Sequence, residues 1–80
     1  MQFSIITPTT KRTMKITFLE LETLRGNLVI ETGYAPSIIM LQPQSNIRVG
    51  FSNGTTEAFA HMSGIMQVNR DSAQLLVDTQ

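Results

Sequence analysis

Residues 46–62 read NIRVGFSNGTTEAFAHM, two short apolar runs separated by Ser52-Asn53-Gly54-Thr55. Asn-Gly accepts the positive φ angles that a type I′ turn needs at both central positions, so the stretch predicts a tight β-hairpin in which Ser52 pairs with Thr55. In that register, one face is expected in the core and carries Ile47, Val49, Ala58 and Ala60. The reverse face suits solvent or a docked partner and carries Arg48, Gly50, Glu57, Phe59 and His61.

Short apolar runs separated by Gly, Pro, Asn and Ser recur along the rest of the chain, and no run of ten residues keeps a helical period. The pattern predicts one all-β domain over residues 1–80, a small flattened β-sandwich or barrel of about eight to ten short strands. The strands are predicted at Gln2–Thr7, Lys15–Thr23, Asn27–Glu31, Ser37–Gln42, Asn46–Ser52, Thr55–Met62, Ile65–Val68 and Ala73–Thr79.

Three connecting or unusual segments refine this prediction. Residues 69–72, Asn-Arg-Asp-Ser, are turn formers between two apolar runs and predict a second hairpin. The Thr-rich segment 7–13 predicts an exposed loop. Ile38-Ile39-Met40-Leu41 lacks polar alternation, so both faces of this strand should be covered by apolar groups, which another chain could supply.

Composition excludes several classes of protein. Six Lys and Arg balance six Asp and Glu, so the basic surplus that binds nucleic acid or an anionic membrane is missing. The absence of Cys excludes disulfides and thiolate chemistry. The chain has no leader-like start and no apolar run near the ~18 residues of a membrane span, so we expect a soluble domain. Its low charge favours a permanent neighbour.

The residues also give little support to catalysis. His61 is the only His and has no neighbouring nucleophile with a third group to orient it. Glu20 and Glu22 share a predicted strand face, which leaves a hydrolase as a remote hypothesis. No Gly-rich phosphate loop is present, and the basic trio of Lys11, Arg12 and Lys15 lacks interleaved aromatics. We therefore predict no catalytic, cofactor or metal site. A free-standing module that binds a peptide or small ligand through Phe59, Arg48 and His61 remains an alternative.

Residues 26–36, Gly-Asn-Leu-Val-Ile-Glu-Thr-Gly-Tyr-Ala-Pro, resemble a signature of the epsilon subunit of F-type ATP synthases, Gly-x-Leu-Gly-Ile-x-Pro-Gly-His-Ala-Pro. Residues 59–65 are similar to the family's Phe-x-x-x-Ser-Gly-Gly, and residues 76–79 to its Leu-Ala-Asp-Thr. Thr7-Pro8, Gln42-Pro43 and Ile47-Arg48 fit other family positions in the same order. The departures, which indicate a divergent member, are Val29, Thr32, Tyr34, Ile65 and Gln44 or Ser45.

The resemblance implies a non-catalytic rotor subunit of the central stalk, which links the gamma subunit to the membrane c ring and couples proton flow to ATP synthesis. By motif position, it implies gamma contacts at Tyr34, Ile39, Leu41 and Ile47, and c-ring contacts at Asn27 and Tyr34. It also implies a peripheral location on the cytoplasmic face of a bacterial inner membrane, reached through the complex only. The family's two C-terminal helices would follow Thr79, so we expect this chain to lack their inhibitory and nucleotide-binding behaviour.

Overall fold

The computed structural model describes residues 1–23 and 25–77. All regular secondary structure in this part of the chain is β-strand. The nine strands are β1 (Gln2–Ile6), β2 (Lys11–Lys15), β3 (Phe18–Thr23), β4 (Gly26–Glu31), β5 (Ser37–Met40), β6 (Ser45–Gly50), β7 (Thr56–Met62), β8 (Gly64–Val68) and β9 (Ser72–Val77). The strand count and the all-β class confirm the prediction.

Two sheets pack face to face as a β-sandwich. The five-stranded sheet has the order β2-β1-β9-β8-β5, and the four-stranded sheet has the order β4-β3-β6-β7. The first and last described strands, β1 and β9, lie side by side in parallel, whereas the other neighbours are antiparallel. The first and last described strands are therefore hydrogen-bonded neighbours in the five-stranded sheet.

The core lies between the sheets, because alternate residues of each strand point inward. Phe3, Leu19, Ile30, Val49 and Leu75 have no exposed surface. The other buried apolar residues are Ile5, Ile16, Leu21, Leu41, Ile47, Met66, Val68 and Ala73. Arg12 closes one side of the sandwich, since its guanidinium lies 3.1 Å from the Glu57 carboxylate and 5.4 Å from the centre of the Phe59 ring.

The hairpin between β6 and β7 forms, but its predicted register is wrong by one residue. The backbone N–H of Phe51 donates to the Thr55 carbonyl (2.9 Å), and that of Gly54 donates to the Phe51 carbonyl (3.0 Å), so the loop holds three residues rather than two. Of the two central residues of the expected type I′ turn, only Gly54 has a positive φ, +90°. Asn53 instead accepts hydrogen bonds at Oδ1 from the backbone N–H and the hydroxyl of Thr55.

One extra loop residue turns every side chain of a strand to the other face. Ile47 therefore pairs with Phe59, and Arg48 pairs with Ala58. Phe59 points inward against the core, whereas Ala58 and Ala60, expected in the core, are exposed.

The sequence does not predict strand β2, because residues 11–15 contain a single apolar residue, Met14; residues 11–13 fall in the predicted loop, and Lys15 ends β2 instead of starting the predicted strand Lys15–Thr23. It forms because β1 offers a partner, with Phe3 opposite Met14. Only residues 7–10 form the turn, in which the Thr7 hydroxyl accepts the backbone N–H of Thr10 (2.9 Å).

The hairpin at residues 69–72 is confirmed by the pairing of Val68 with Ala73. The predicted end of the last strand at Asp78 and Thr79 lies outside the described residues. Segment 38–41 is covered on one face only. Leu41 is buried and Ile39 half-buried, but Ile38 and Met40 are 75% and 71% exposed.

Candidate partner interface

Four apolar residues cross the outer face of the five-stranded sheet in one continuous row. The strand pairs are Ile6 with Leu76, Leu76 with Ile65, and Ile65 with Met40. We call Ile6, Leu76, Ile65 and Met40 the outer apolar row. Met40, Leu76 and Ile65 are 71%, 42% and 40% exposed. A contiguous apolar surface of this kind marks an interaction site more often than an isolated exposed side chain does.

The next row of the same face is polar, and its groups bond to one another. The Ser4 and Thr13 hydroxyls lie 3.0 Å apart, and the Gln74 side-chain amide donates to the Gln67 side-chain oxygen (3.1 Å). Ile38 ends this row beside Gln67. Because these four polar side chains bond to one another, the outer apolar row beside them is the part of this face that suits an apolar partner.

A groove of about 360 Å³ lies beside Met40 and Ile65 of the outer apolar row, where β5 ends and β8 begins. Met40, Pro43 and Ile65 supply apolar parts of its lining. Two further lining residues are joined by a hydrogen bond from the backbone N–H of Gln44 to the Ser63 hydroxyl (3.0 Å). Gln44 has a φ of +58°, a conformation that is uncommon for residues other than Gly.

The outer face of the four-stranded sheet is polar and charged. Glu20 forms an ion pair with Arg48 and accepts a hydrogen bond from the Asn27 amide (3.3 Å). Glu22 accepts the backbone N–H of Asn46 (3.3 Å). A groove of about 200 Å³ lies among these residues. Both carboxylates of the hydrolase hypothesis thus bind groups of the sheet itself, and the geometry adds nothing in favour of catalysis.

The structure does not bring together the residues of the predicted peptide site. Phe59 faces the core under the guanidinium of Arg12, whereas Arg48 points to the opposite face and pairs with Glu20. His61 is exposed and has a φ of +60°. A single ligand cannot use Phe59 and Arg48 from one side of the sheet, so the register correction removes the basis of this alternative.

The contact residues implied by the family motifs do not lie together on one surface either. Leu41 and Ile47 are 4% and 1% exposed, and Ile39 packs against the core, so these three side chains mainly serve the domain itself. Tyr34 is half-buried just after β4, where its backbone N–H donates to the Glu31 carbonyl (3.1 Å). Asn27 is exposed near the other end of β4, about 13 Å away from Glu31 at ~3.3 Å per residue.

Residues 1–23 and 25–77 contain neither a candidate metal site nor a helix that could span a membrane. No three His, Cys, Asp or Glu side chains come together in a way that could hold a metal ion. In the same part of the chain, no helix has the length and apolar character needed to cross a membrane.

The family model described as the ATP synthase Delta/Epsilon chain, beta-sandwich domain, matches residues 1–80. The chain belongs to this family. The match confirms the family inferred from residues 26–36, and its beta-sandwich description agrees with the two packed sheets. No curated protein matches the chain.

Two solved assemblies contain chains with a similar fold. One is the Euglena gracilis mitochondrial ATP synthase, OSCP/F1/c-ring in rotational state 1, with a TM-score of 0.83 and 14% identity over 94% of this chain. The other is the central stalk and c-ring of the Tetrahymena thermophila mitochondrial ATP synthase, with a TM-score of 0.75 and 18% identity over 95% of this chain. The chain spans 48% and 61% of these two proteins. At 14% and 18% identity, the similarity to these two chains shows a shared fold alone.

Proposed function

We propose that the chain is the β-sandwich part of an epsilon-type rotor subunit, which joins the gamma subunit to the c ring of an F-type ATP synthase and couples proton flow to ATP synthesis. It has a structural rather than a catalytic role. The family match over residues 1–80 supports the assembly, and the outer apolar row is the observation that supports a permanent protein neighbour.

The gamma subunit is assigned to the outer face of the five-stranded sheet. This assignment moves the predicted contact from Ile39 to its neighbours Ile38 and Met40, because successive residues of a strand point to opposite faces. Burying an exposed Leu, Ile or Met side chain contributes roughly 1.5 to 3 kcal/mol. The residues of the row are only partly exposed, so each would contribute a part of this amount when gamma covers it.

The c ring is assigned to the end of the sandwich that carries Asn27. At this end, Gly26, Asn27 and Gln42 line a common groove, and the backbone N–H of Gln42 donates to the Glu22 carbonyl. Tyr34 lies near the other end of β4, so we do not include it in the proposed c-ring contact. We keep Tyr34 as a proposed contact of gamma. The subunit would be peripheral to its membrane, and the cytoplasmic face of a bacterial inner membrane remains a prediction.

Binding to purified gamma subunit tests the proposal, with Leu76→Asp as the variant and Val29→Asp as the matched control. Both side chains are half-exposed on outer faces, Leu76 at 42% and Val29 at 50%, but they lie on different sheets. A buried carboxylate loses hydration as well as apolar contact. We expect Leu76→Asp to raise Kd at least about tenfold, which is about 1.4 kcal/mol, and Val29→Asp to leave it unchanged.

Calorimetry gives the two Kd values, and circular dichroism checks that both variants keep the wild-type strand signal. Failure of the unaltered chain to bind gamma would refute the proposed function. Equal effects of the two substitutions would refute the assignment of gamma to the outer apolar row.

A further inference from the structure

The sandwich has four edge strands, and three of them carry features that discourage another strand from adding to the sheet. Edge strands are commonly protected by charge, irregular pairing or covering groups. Strand β2 contains Lys11, Arg12 and Lys15, and its Arg12 is tied to Glu57 of β7. The pairing of β7 is irregular, and β4 ends with the exposed Glu31.

Strand β5 differs from these three strands. Its residues, Ser37–Met40, include no charged side chain and no Pro, and its pairing with β8 is regular. It also carries the two most exposed large apolar side chains of the described residues, Ile38 and Met40. Charge, Pro and irregular pairing are therefore missing within this strand, and its remaining protection is its short length of four residues.

The hydrogen-bond pattern fixes which backbone groups of β5 are free. The backbone N–H of Leu41 donates to the Gly64 carbonyl (3.0 Å), which continues the register of Met40 with Ile65. In an antiparallel pair, every second residue exchanges both of its hydrogen bonds with the partner strand. Ile39 and Ser37 therefore bond to β8, whereas the N–H and C=O groups of Ile38 and Met40 point away from the sheet.

We propose that β5 receives an extended segment of the gamma subunit as a sixth strand of this sheet. The inference rests on the proposed function and adds the mode of binding. Four backbone groups, the N–H and C=O of Ile38 and Met40, would bond to the added strand, as in other cases of strand addition. Its side chains beside Ile38 and Met40 would be apolar, because charged groups would face apolar surface there.

A second copy of this chain is the competing occupant. Two β5 strands could pair antiparallel about Ile39, which would place Ile38 opposite Met40 of the other copy. Such a pairing would involve only four residues from each copy and would leave Ile6, Leu76 and Ile65 of the outer apolar row uncovered, so we expect it to bury less than the roughly 1,000 Å² of a stable interface. A partner that covers the edge and the adjoining row together would bury more area, and under the proposed function this partner is gamma.

Amide hydrogen exchange of the 80-residue chain, followed by NMR with and without purified gamma subunit, tests this directly. In the free chain, the amides of Ile38 and Met40 should exchange at least about tenfold faster than that of Ile39, whose N–H bonds to β8. Addition of gamma should slow exchange at Ile38 and Met40 at least about tenfold and leave Ile39 protected.

Each outcome bears on one of the two proposals. Binding of gamma without slower exchange at Ile38 and Met40 would overturn strand addition and leave the proposed function standing. Absence of binding would overturn the proposed function. Slower exchange that appears without gamma, at rising chain concentration, would show self-pairing and overturn gamma as the occupant.

A pair of variants at Ile38 distinguishes the contribution of the backbone N–H to gamma binding from that of the side chain. Ile38→Ala shortens the side chain to a methyl group and keeps the backbone N–H, whereas Ile38→Pro also removes the outward N–H while leaving the bonds of Ile39 to β8 in place. We expect Ile38→Pro to raise Kd for gamma at least about tenfold more than Ile38→Ala does. Equal Kd values for the two folded variants would contradict the strand-addition model, and the exchange experiment decides the question if Ile38→Pro does not fold.

Discussion

Gly64 is the position where a single added methyl group should do most harm, and the size of the effect can be estimated from the structure. Its φ is +149°, and a Cβ atom built there would lie 2.1 Å from the carbonyl oxygen of Leu76 and 3.1 Å from the Cα of Val77. The obstructing atoms belong to the backbone of β9, so the clash cannot be relieved by a side-chain rotation.

Two costs add for Gly64→Ala. A residue other than Gly in a sparsely populated region of φ costs of order 1 to 3 kcal/mol, and overpacking costs about 1 to 3 kcal/mol more. Together these are roughly 2 to 6 kcal/mol, against a total stability of about 4 to 12 kcal/mol for 80 residues. We therefore expect Tm to fall by at least about 8 °C or the domain to unfold.

Gly33→Ala is the matched control, because Gly33 has a φ of +95° but no atom within 4 Å of a built Cβ. It should cost only the backbone term, about 1 to 3 kcal/mol. Urea titrations followed by circular dichroism give both values. If Gly64→Ala is no more destabilising than Gly33→Ala, the close approach of β8 and β9 that underlies the estimate is wrong.

Three further predictions concern the hairpin, the loop before β6 and the proposed interface. Phe59→Lys should lower stability by at least about 2 kcal/mol, whereas Ala58→Lys should change it by less than about 0.5 kcal/mol; the reverse order in urea titrations would favour the two-residue turn. Gln44→Gly should raise stability by up to about 1 kcal/mol because it relieves a φ of +58°, and a lower Tm would contradict this. The Kd for gamma should change less than about threefold between 0.05 and 0.5 M salt, since the outer apolar row contains no charge; a tenfold weakening in calorimetry would point to ion pairs instead.

The fold class could be predicted because it depends on features that the sequence displays directly. Turn formers separate the apolar runs at intervals too short for helices, as at residues 69–72, and such spacing leaves few alternatives to an antiparallel sandwich. The parallel pairing of β1 with β9 was not predictable in this way, since no local signal links residues so far apart in sequence.

The register of the hairpin between β6 and β7 could not be predicted from the turn residues alone. Asn53-Gly54 fits a two-residue turn and also a three-residue loop in which Gly54 alone has a positive φ. The choice depends on packing, because only the longer loop places Phe59 opposite Ile47 inside the sandwich. The two small side chains of Ala58 and Ala60 would have filled that space poorly.

The sequence does not reveal the outer apolar row for a related reason. Ile6, Ile65 and Leu76 lie in runs that are apolar at successive positions, so the sequence does not reveal which members face outward. Residues 38–41 are apolar without interruption, and the family motif implies a contact at Ile39, which the structure packs against the core. Pairing of β5 with β8 was needed to assign Ile38 and Met40 to the outer face.

The distribution of polar groups over the two outer faces narrows the kind of function that this surface can serve. On the four-stranded sheet, Glu20 is held by Arg48 and Asn27. On the five-stranded sheet, the side-chain amides of Gln67 and Gln74 bond to each other. A small polar ligand would have to break such pairs, and each broken bond to a charged group costs about 1.5 to 3 kcal/mol. The outer apolar row and the free edge of β5 involve no such loss, so these two features favour a partner with an apolar surface over a small polar ligand.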